Sequence, residues 1–229
     1  MNVVKIERKK LSNQVYDILK EMINNHRFDP GARLNVEQIT KEIGVSRTPV
    51  WEAISRLEHE NLIVNIPNRG VFMAVLTPQQ ALELYAVRQV LEGFAARLAA
   101  ANISAELLER MAACLADQRP AVAARDLRCY SMLDFQFHAA VYEACGNQYL
   151  KEMLETIKNK MRPIPLSIDI KPILDKLYED HVRLYEALKA HDAERAAEVF
   201  AAHNQFMMTL ITEESVAGRW HQLGIAGKS

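Results

Sequence analysis

Three histidines and an aspartate occupy positions where helical spacing predicts core side chains. They are Asp134 and His138, one helical turn apart, together with His181 and His203. Each lies in a stripe of apolar residues that repeats every three to four positions, as on a buried helix face. Because burying these groups without partners would cost on the order of several kcal/mol, they must contact one another or bind something.

Three neutral imidazoles and one carboxylate suit a divalent metal ion and leave coordination positions open. Zinc is the first choice, and nickel, manganese or iron are compatible because such a ligand set does not discriminate sharply. A buried polar network or a ligand pocket without metal explains the same pattern, and the pattern alone leaves both interpretations open.

An open metal position could also activate a water molecule, so an enzyme is a rival class. A separate general acid or base is missing from the pattern, since no glutamate directly follows a candidate ligand histidine in the sequence. Asp180 precedes His181 and is expected to point to another face of its helix. We therefore predict that the protein is not an enzyme.

A second group of residues with a possible function lies in the first 76 residues. Apolar spacing predicts helices over residues 11–25, from Asn35 to the break at Gly44, and from Ser46 through Leu57. Two β-rich runs, 62–66 and 71–75, then flank a Pro-Asn-Arg-Gly turn and predict a hairpin. This order is typical of a helix-turn-helix followed by a wing.

The second helix of such a motif enters the major groove of DNA with its N-terminal residues. Ser46, Arg47 and Thr48 stand there and supply a bidentate donor for guanine and hydroxyls for phosphates or bases. Arg56 and Arg69 are placed to reach the backbone or the minor groove. The alternative is that these are solvated arginines on a small helical domain.

Alanine usage marks a domain boundary. Residues 1–76 contain three alanines and residues 77–229 contain twenty-six. Because alanine is the strongest helix former, the second part is predicted to be helical throughout. Thr77, Pro78 and Gln80 predict a capped helix start there. We expect a mostly α protein, with a winged helix-turn-helix domain over 1–76 and an all-α bundle over 77–229, its six helices covering 78–101, 104–117, 121–145, 147–161, 171–190 and 192–213.

Composition restricts the class of protein further. The 229 residues are 49% hydrophobic and 25% charged, which excludes collagen-like, coiled-coil and disordered chains. Three cysteines without a CxxC pair argue against a disulfide framework, and the first residues lack a signal-peptide pattern. With no apolar run of membrane-spanning length, a cytoplasmic protein without a membrane partner is expected. The net charge of -1 does not exclude DNA binding, because the distribution of charge matters more.

The motifs of the first domain resemble the winged-helix domain of the GntR family of bacterial transcription regulators. They are residues 29–34 (Asp-Pro-Gly-Ala-Arg-Leu), 43–50 (Ile-Gly-Val-Ser-Arg-Thr-Pro-Val) and 68–70 (Asn-Arg-Gly). The resemblance implies a DNA-contacting set made up of Arg33, Ser46, Arg47, Thr48, Pro49, Trp51, Arg56, Arg69 and Gly70. The family usually has an arginine where this chain has Trp51, so the operator sequence cannot be carried over. Trp51 either contacts a thymine methyl group or packs in the domain.

Residues 78–215 resemble the FCD domain, the all-helical ligand-sensing domain of the FadR subfamily, in its shorter six-helix variant. The signature is the run 134–138 (Asp-Phe-Gln-Phe-His), then 144–147 (Ala-Cys-Gly-Asn), His181 and His203. Many members bind a divalent metal through that aspartate and those histidines, with small carboxylates or sugar acids beside it. The resemblance makes Arg88 a candidate effector clamp; the alternative is a salt bridge with an acidic neighbour at the surface or at a dimer interface.

Together these features predict a homodimeric, metabolite-responsive transcription regulator, and by resemblance a repressor. Its twofold symmetry would match a near-palindromic double-stranded DNA operator. A direct metal-ion sensor is the main alternative, and a metal-dependent hydrolytic enzyme is a weaker one.

Overall fold

The computed structural model describes residues 3–24, 27–161 and 170–218, with side chains omitted for 3–10 and 170–172. The predicted breaks around 162–169 and the tail from 219 onward lie outside the described residues. The chain divides between Leu76 and Thr77 into two compact units. No described helix combines the length and the apolar character needed to cross a bilayer.

The described residues of the first unit form three helices and a small antiparallel sheet, in the order α1, β1, α2, α3, β2, β3. Their bounds are Val3–Asn24, Arg33–Leu34, Val36–Ile43, Arg47–His59, Ile63–Ile66 and Gly70–Met73. The predicted hairpin is present, and β3 lies between β2 and a two-residue strand β1 that the sequence analysis did not predict. A strand this short leaves no periodic signal.

A side-chain cap and a glycine determine where α2 begins and ends, and so where the turn before α3 lies. The Asn35 side chain caps α2 by accepting a hydrogen bond from the Gln38 amide (3.0 Å). Gly44 ends the helix with φ +74°, a left-handed conformation that glycine adopts without strain. The apolar face of α3, with Val50, Ile54 and Leu57, is buried against α1. The opposite face of α3 therefore faces solvent.

The second unit contains the helices α4 to α9. Their bounds are Pro78–Asn102, Ala105–Ala124, Leu127–Ala144, Gln148–Lys160, Ile170–Lys189 and Ala193–Val216. The predicted capping box is confirmed, because Thr77 and Gln80 exchange hydrogen bonds at the start of α4. Buried alanines, including Ala95, Ala99 and Ala196, lie on α4 and α9, the most extensively packed helix pair.

The predicted helix end before Pro120 is wrong. Helix α5 runs through Pro120 to Ala124 and ends where Arg125 adopts a left-handed φ of 56°. A proline removes one backbone donor, but Gln118, Ala121 and Val122 on either side of it are buried and hold the last turn in place. Helix α6 accordingly starts at Leu127, capped by Asp126, rather than at 121.

Candidate metal centre and nucleic-acid interface

The four candidate ligands converge inside the second unit. Helix α6 carries Asp134 and His138, α8 carries His181 and α9 carries His203. One potential ligand atom from each lies within 4.8 Å of the others. Asp134 Oδ1 is 3.5 Å from His138 Nε2 and 3.4 Å from His181 Nε2, and the two Nε2 atoms are 3.3 Å apart. Donor atoms bound to one ion at about 2.0–2.2 Å are separated by about 3–4 Å, so this spacing suits a metal.

The outer nitrogens of two of these histidines have acceptor partners from other helices. The Nδ1–H of His138 donates to Glu92 Oε1 on α4 (2.8 Å), and that of His181 donates to Gln118 Oε1 on α5 (3.0 Å). With the proton on Nδ1, each Nε2 keeps a lone pair directed at the shared centre. This is the support that metal-bound histidines normally have, so these residues fit a divalent ion.

Asp134 has different partners for its two carboxylate oxygens. Oδ1 faces the histidines, while Oδ2 accepts a hydrogen bond from the ammonium of Lys158 on α7 (2.7 Å). Burial alone would raise the pKa of Asp134, but Lys158 and His138 hold that pKa well below its usual range. Burial lowers the pKa of Lys158 to about 7. Asp134 is therefore an anion with one oxygen available to the centre.

Arg88 is buried next to this cluster. Its Nε lies 2.9 Å from Glu92 Oε1 on the same helix, and its Nη2 lies 3.0 Å from His138 Nδ1. Glu92 is fully buried and also accepts hydrogen bonds from Tyr142 and from Asn204 Nδ2. Arg88 thus has the acidic neighbour that one interpretation expected, but the pair lies in the interior of the bundle. Its role as effector clamp stays a prediction.

Sequence reasoning missed the supporting groups Glu92, Gln118 and Lys158, and it did not predict that Asp180 lies next to His203. The Asp180 side chain is buried, and its Oδ2 lies 3.8 Å from His203 Nδ1. It differs in orientation from His181, as adjacent helix residues must, but it is turned towards α9 rather than away from the site. The i,i+4 spacing of Arg88 and Glu92 was the one signal that could have identified a pair.

Burial of two imidazoles predicts acid sensitivity of the metal-free bundle. It lowers the pKa of His181 well below its usual range, and it lowers the pKa of His203 although Asp180 opposes this. Below pH about 6.5 the unfolded chain binds protons that the folded chain excludes, so stability present above that pH is lost as pH falls. We expect the free energy of unfolding to decrease by about 1–2 kcal/mol from pH 6.5 to 5.5, with His181 supplying the larger part. Urea unfolding in a chelator checks this; an unchanged midpoint would contradict it.

In the first unit, most of the predicted DNA-contacting side chains lie on the exposed surface. The exposed ones are Arg33, Ser46, Arg47, Thr48, Trp51, Arg56 and Arg69. Pro49 is the exception, because it is buried beside Val50 in the core-facing part of α3, so its side chain does not lie on this surface. Ser46 is at the N-cap position of α3 but makes no side-chain capping bond, which leaves its hydroxyl for other partners.

Three arginines at this surface have protein contacts. Arg47 forms an exposed ion pair with Glu37 on α2 (2.7 Å). Arg56 stacks on Tyr16 and donates to Asn13 Oδ1 (2.7 Å), so it also ties α3 to α1. The Arg33 guanidinium lies against Gly70, where an added Cβ would come within 3.1 Å of its Nε. Since Gly70 also has φ +107°, the start of strand β3 requires glycine there.

Comparison with protein families matches both units. Residues 11–73 match the model described as bacterial regulatory proteins, gntR family, and residues 83–206 match the FCD domain. The second match spans most of α4–α9 and includes all four candidate metal ligands.

Individual proteins are similar over both units. A regulator from Bacillus subtilis, the HTH-type transcriptional regulator YdhC, is 29% identical over 83% of this chain and 86% of its own. The HTH-type transcriptional repressor RspR of Escherichia coli K12 is 26% identical over 85% of this chain and 86% of its own. The structure of E. coli McbR/YncC superposes with a TM-score of 0.78 at 26% identity, covering 90% of this chain and 98% of that one.

Proposed function

Because the chain belongs to the GntR family of transcriptional regulators, with the FCD domain of the FadR subfamily, we propose that it is a metabolite-responsive repressor. In this proposal the first unit binds a near-palindromic operator and the second unit binds a divalent metal and a small carboxylate or sugar acid. The effector then lowers operator affinity. The homologues and the matching families are transcription regulators, not enzymes.

The observation that carries this proposal is the convergence of one carboxylate and three imidazoles, two of them with an acceptor on Nδ1. Asp134, His138, His181 and His203 would hold the ion, with zinc as the first choice. A bound divalent ion would supply open positions for the oxygens of an acid. Arg88 balances the charge of Glu92, and Lys158 in its protonated form balances that of Asp134, so the ion's charge would favour an anion.

Unpartnered polar atoms also support a polar effector. Tyr130 Oη and Asn204 Oδ1 are buried and have no hydrogen-bond partner among the described residues. Tyr130 stacks against His181, and Asn204 contacts Glu92, so both side chains border the centre. Buried polar groups normally have partners, and the hydroxyl and carboxylate groups of a sugar acid would supply them.

A homodimer is proposed from the exposed apolar side chains of the second unit. They lie on α4 and α7, which pack against each other, and comprise Val87, Val90, Phe94, Tyr149 and Met153, all between 49% and 79% exposed. Such side chains gathered on neighbouring helices are typical of an association surface. A second copy of the chain on this surface would supply the symmetry that a near-palindrome requires.

The test uses full-length protein and DNA duplexes selected from a randomised pool by binding to that protein. We expect zinc alone to change operator affinity less than twofold, and one class of small acid to weaken it at least tenfold in the presence of zinc. Fluorescence anisotropy measures both. If zinc alone releases the DNA, the protein is a direct metal sensor; if no acid has an effect, the proposed effector class is wrong.

The junction between the units is the proposed coupling segment, because β3 is followed within five residues by α4. Replacing Thr77 and Pro78 by glycine removes the capping box and a rigid helix start. We expect effector affinity, measured by calorimetry, to change less than twofold, while effector-driven release of DNA weakens at least fivefold. A Gln79→Gly variant, at an exposed position next to the cap, is the control. Unchanged release would show that coupling takes another route.

A further inference from the structure

The side chain of Trp51 is exposed on a helix whose other large apolar side chains are buried. Within α3, which the structure describes completely, Val50, Ile54 and Leu57 are at most 1% exposed, but Trp51 is 42% exposed. The packing of the first unit does not explain why this large apolar side chain is partly exposed to solvent. Trp51 is therefore not part of the buried core of the first unit, and a large part of its indole surface is available to a partner.

Trp51 lies among groups that suit contact with DNA. Arg47 precedes it by one helical turn on the same face, and Ser55 follows it by one turn, with both exposed. Trp51 also lines a groove of about 450 Å³ together with Arg33 and Gly70. The indole thus provides a broad apolar surface between hydrogen-bonding side chains.

We propose that Trp51 contacts the 5-methyl group of a thymine in the major groove, an inference that rests on the proposed operator binding by the first unit. Among the four bases thymine alone presents a methyl group in that groove, next to its O4 acceptor. The indole ring can cover the methyl group while its one N–H donates to an acceptor. It cannot form the two parallel donor contacts with which an arginine binds guanine. The apolar indole ring of Trp51, with its one donor, therefore favours thymine over guanine at the contacted position.

The expected size of the effect follows from the area covered. Burying one methyl group contributes about as much as a fourfold change in affinity. Removing that methyl from one half-site should weaken binding about fourfold, and removing it from both half-sites of a symmetric operator should weaken binding about sixteenfold.

The experiment replaces thymines by deoxyuridine, which lacks only the 5-methyl group. Duplexes enriched by the wild-type protein from a randomised pool are resynthesised with deoxyuridine at each thymine position in turn. Dissociation constants are measured by fluorescence anisotropy at one fixed salt concentration. We expect one thymine position in each half-site to show the fourfold loss with wild type and no loss with Trp51→Ala. Ile18→Ala, which removes an exposed apolar side chain from α1, is the control and should keep the loss.

The outcomes separate the inference from the proposed function. If duplexes are enriched but no thymine position responds to deoxyuridine, the Trp51 contact is wrong and operator binding stands. If a position responds equally in wild type and Trp51→Ala, another residue contacts the methyl group and the inference is overturned. If no duplex is enriched, the operator-binding function itself fails, and this inference fails with it.

Discussion

Replacing His181 by phenylalanine should remove tight zinc binding and leave the bundle folded. The His181 ring stacks on Phe137 at a centroid distance of 4.3 Å, so a phenylalanine ring fits the same stack while offering no lone pair. Wild-type protein should gain about 4 kcal/mol of stability at a zinc concentration a thousand times its dissociation constant. In the variant we expect this gain to fall below about 1.4 kcal/mol, because affinity is lost by more than a hundredfold.

Chemical unfolding with and without zinc measures this gain. The matched control is His59→Phe, which makes the same substitution at an exposed histidine of the first unit and should keep the full zinc effect. Zinc affinity of His181→Phe within threefold of wild type would mean that the four side chains form a polar network and do not hold an ion. That result would favour the alternative that the second unit contains a ligand pocket without metal.

The candidate ligands could be predicted from sequence because each one interrupts an apolar stripe. His181 lies between Leu177 and Leu184, and a histidine at such a position requires a partner whatever the rest of the fold does. That argument needs only helical periodicity, which long helices display clearly. It identifies buried polar groups, but it does not say which of the other polar residues face them.

Glu92 and Lys158 were not identified as supporting groups because their local patterns are those of exposed helix faces. Arg88 and Glu92 have the i,i+4 spacing of a surface ion pair, and Lys158 lies in a polar run on α7. Gln118 was missed for a different reason. Its helix was expected to end at residue 117, before Pro120, so Gln118 was placed outside the helix. The two-residue strand β1 exists only through its pairing with β3. These features depend on tertiary packing, which local sequence does not encode.

The Glu92→Gln substitution should have the largest effect on stability. The ionised carboxylate of Glu92 faces Arg88, and the other side chains around Arg88 include the rings of His138 and Tyr85, which offer no carboxylate in its place. Burial alone would raise the pKa of Glu92, but Arg88 and His138 hold that pKa well below its usual range. Removing one partner of a buried pair leaves an uncompensated charge and costs about 3–5 kcal/mol. We expect a melting temperature lower by about 10 °C in calorimetry of the metal-free protein.

The same substitution should weaken metal binding by about 10–100-fold, because Glu92 also fixes the Nδ1 proton of His138. Two further variants separate charge from positioning. Glu194→Gln breaks the exposed pair with Arg97, also a residue of α4, and should leave stability nearly unchanged because solvent screens this pair. Adding Arg88→Met to Glu92→Gln removes both buried charges and should restore most of the stability but not the metal affinity. A stable Glu92→Gln variant would contradict the ion pair, whereas full metal affinity in the double variant would show that Glu92 does not position His138.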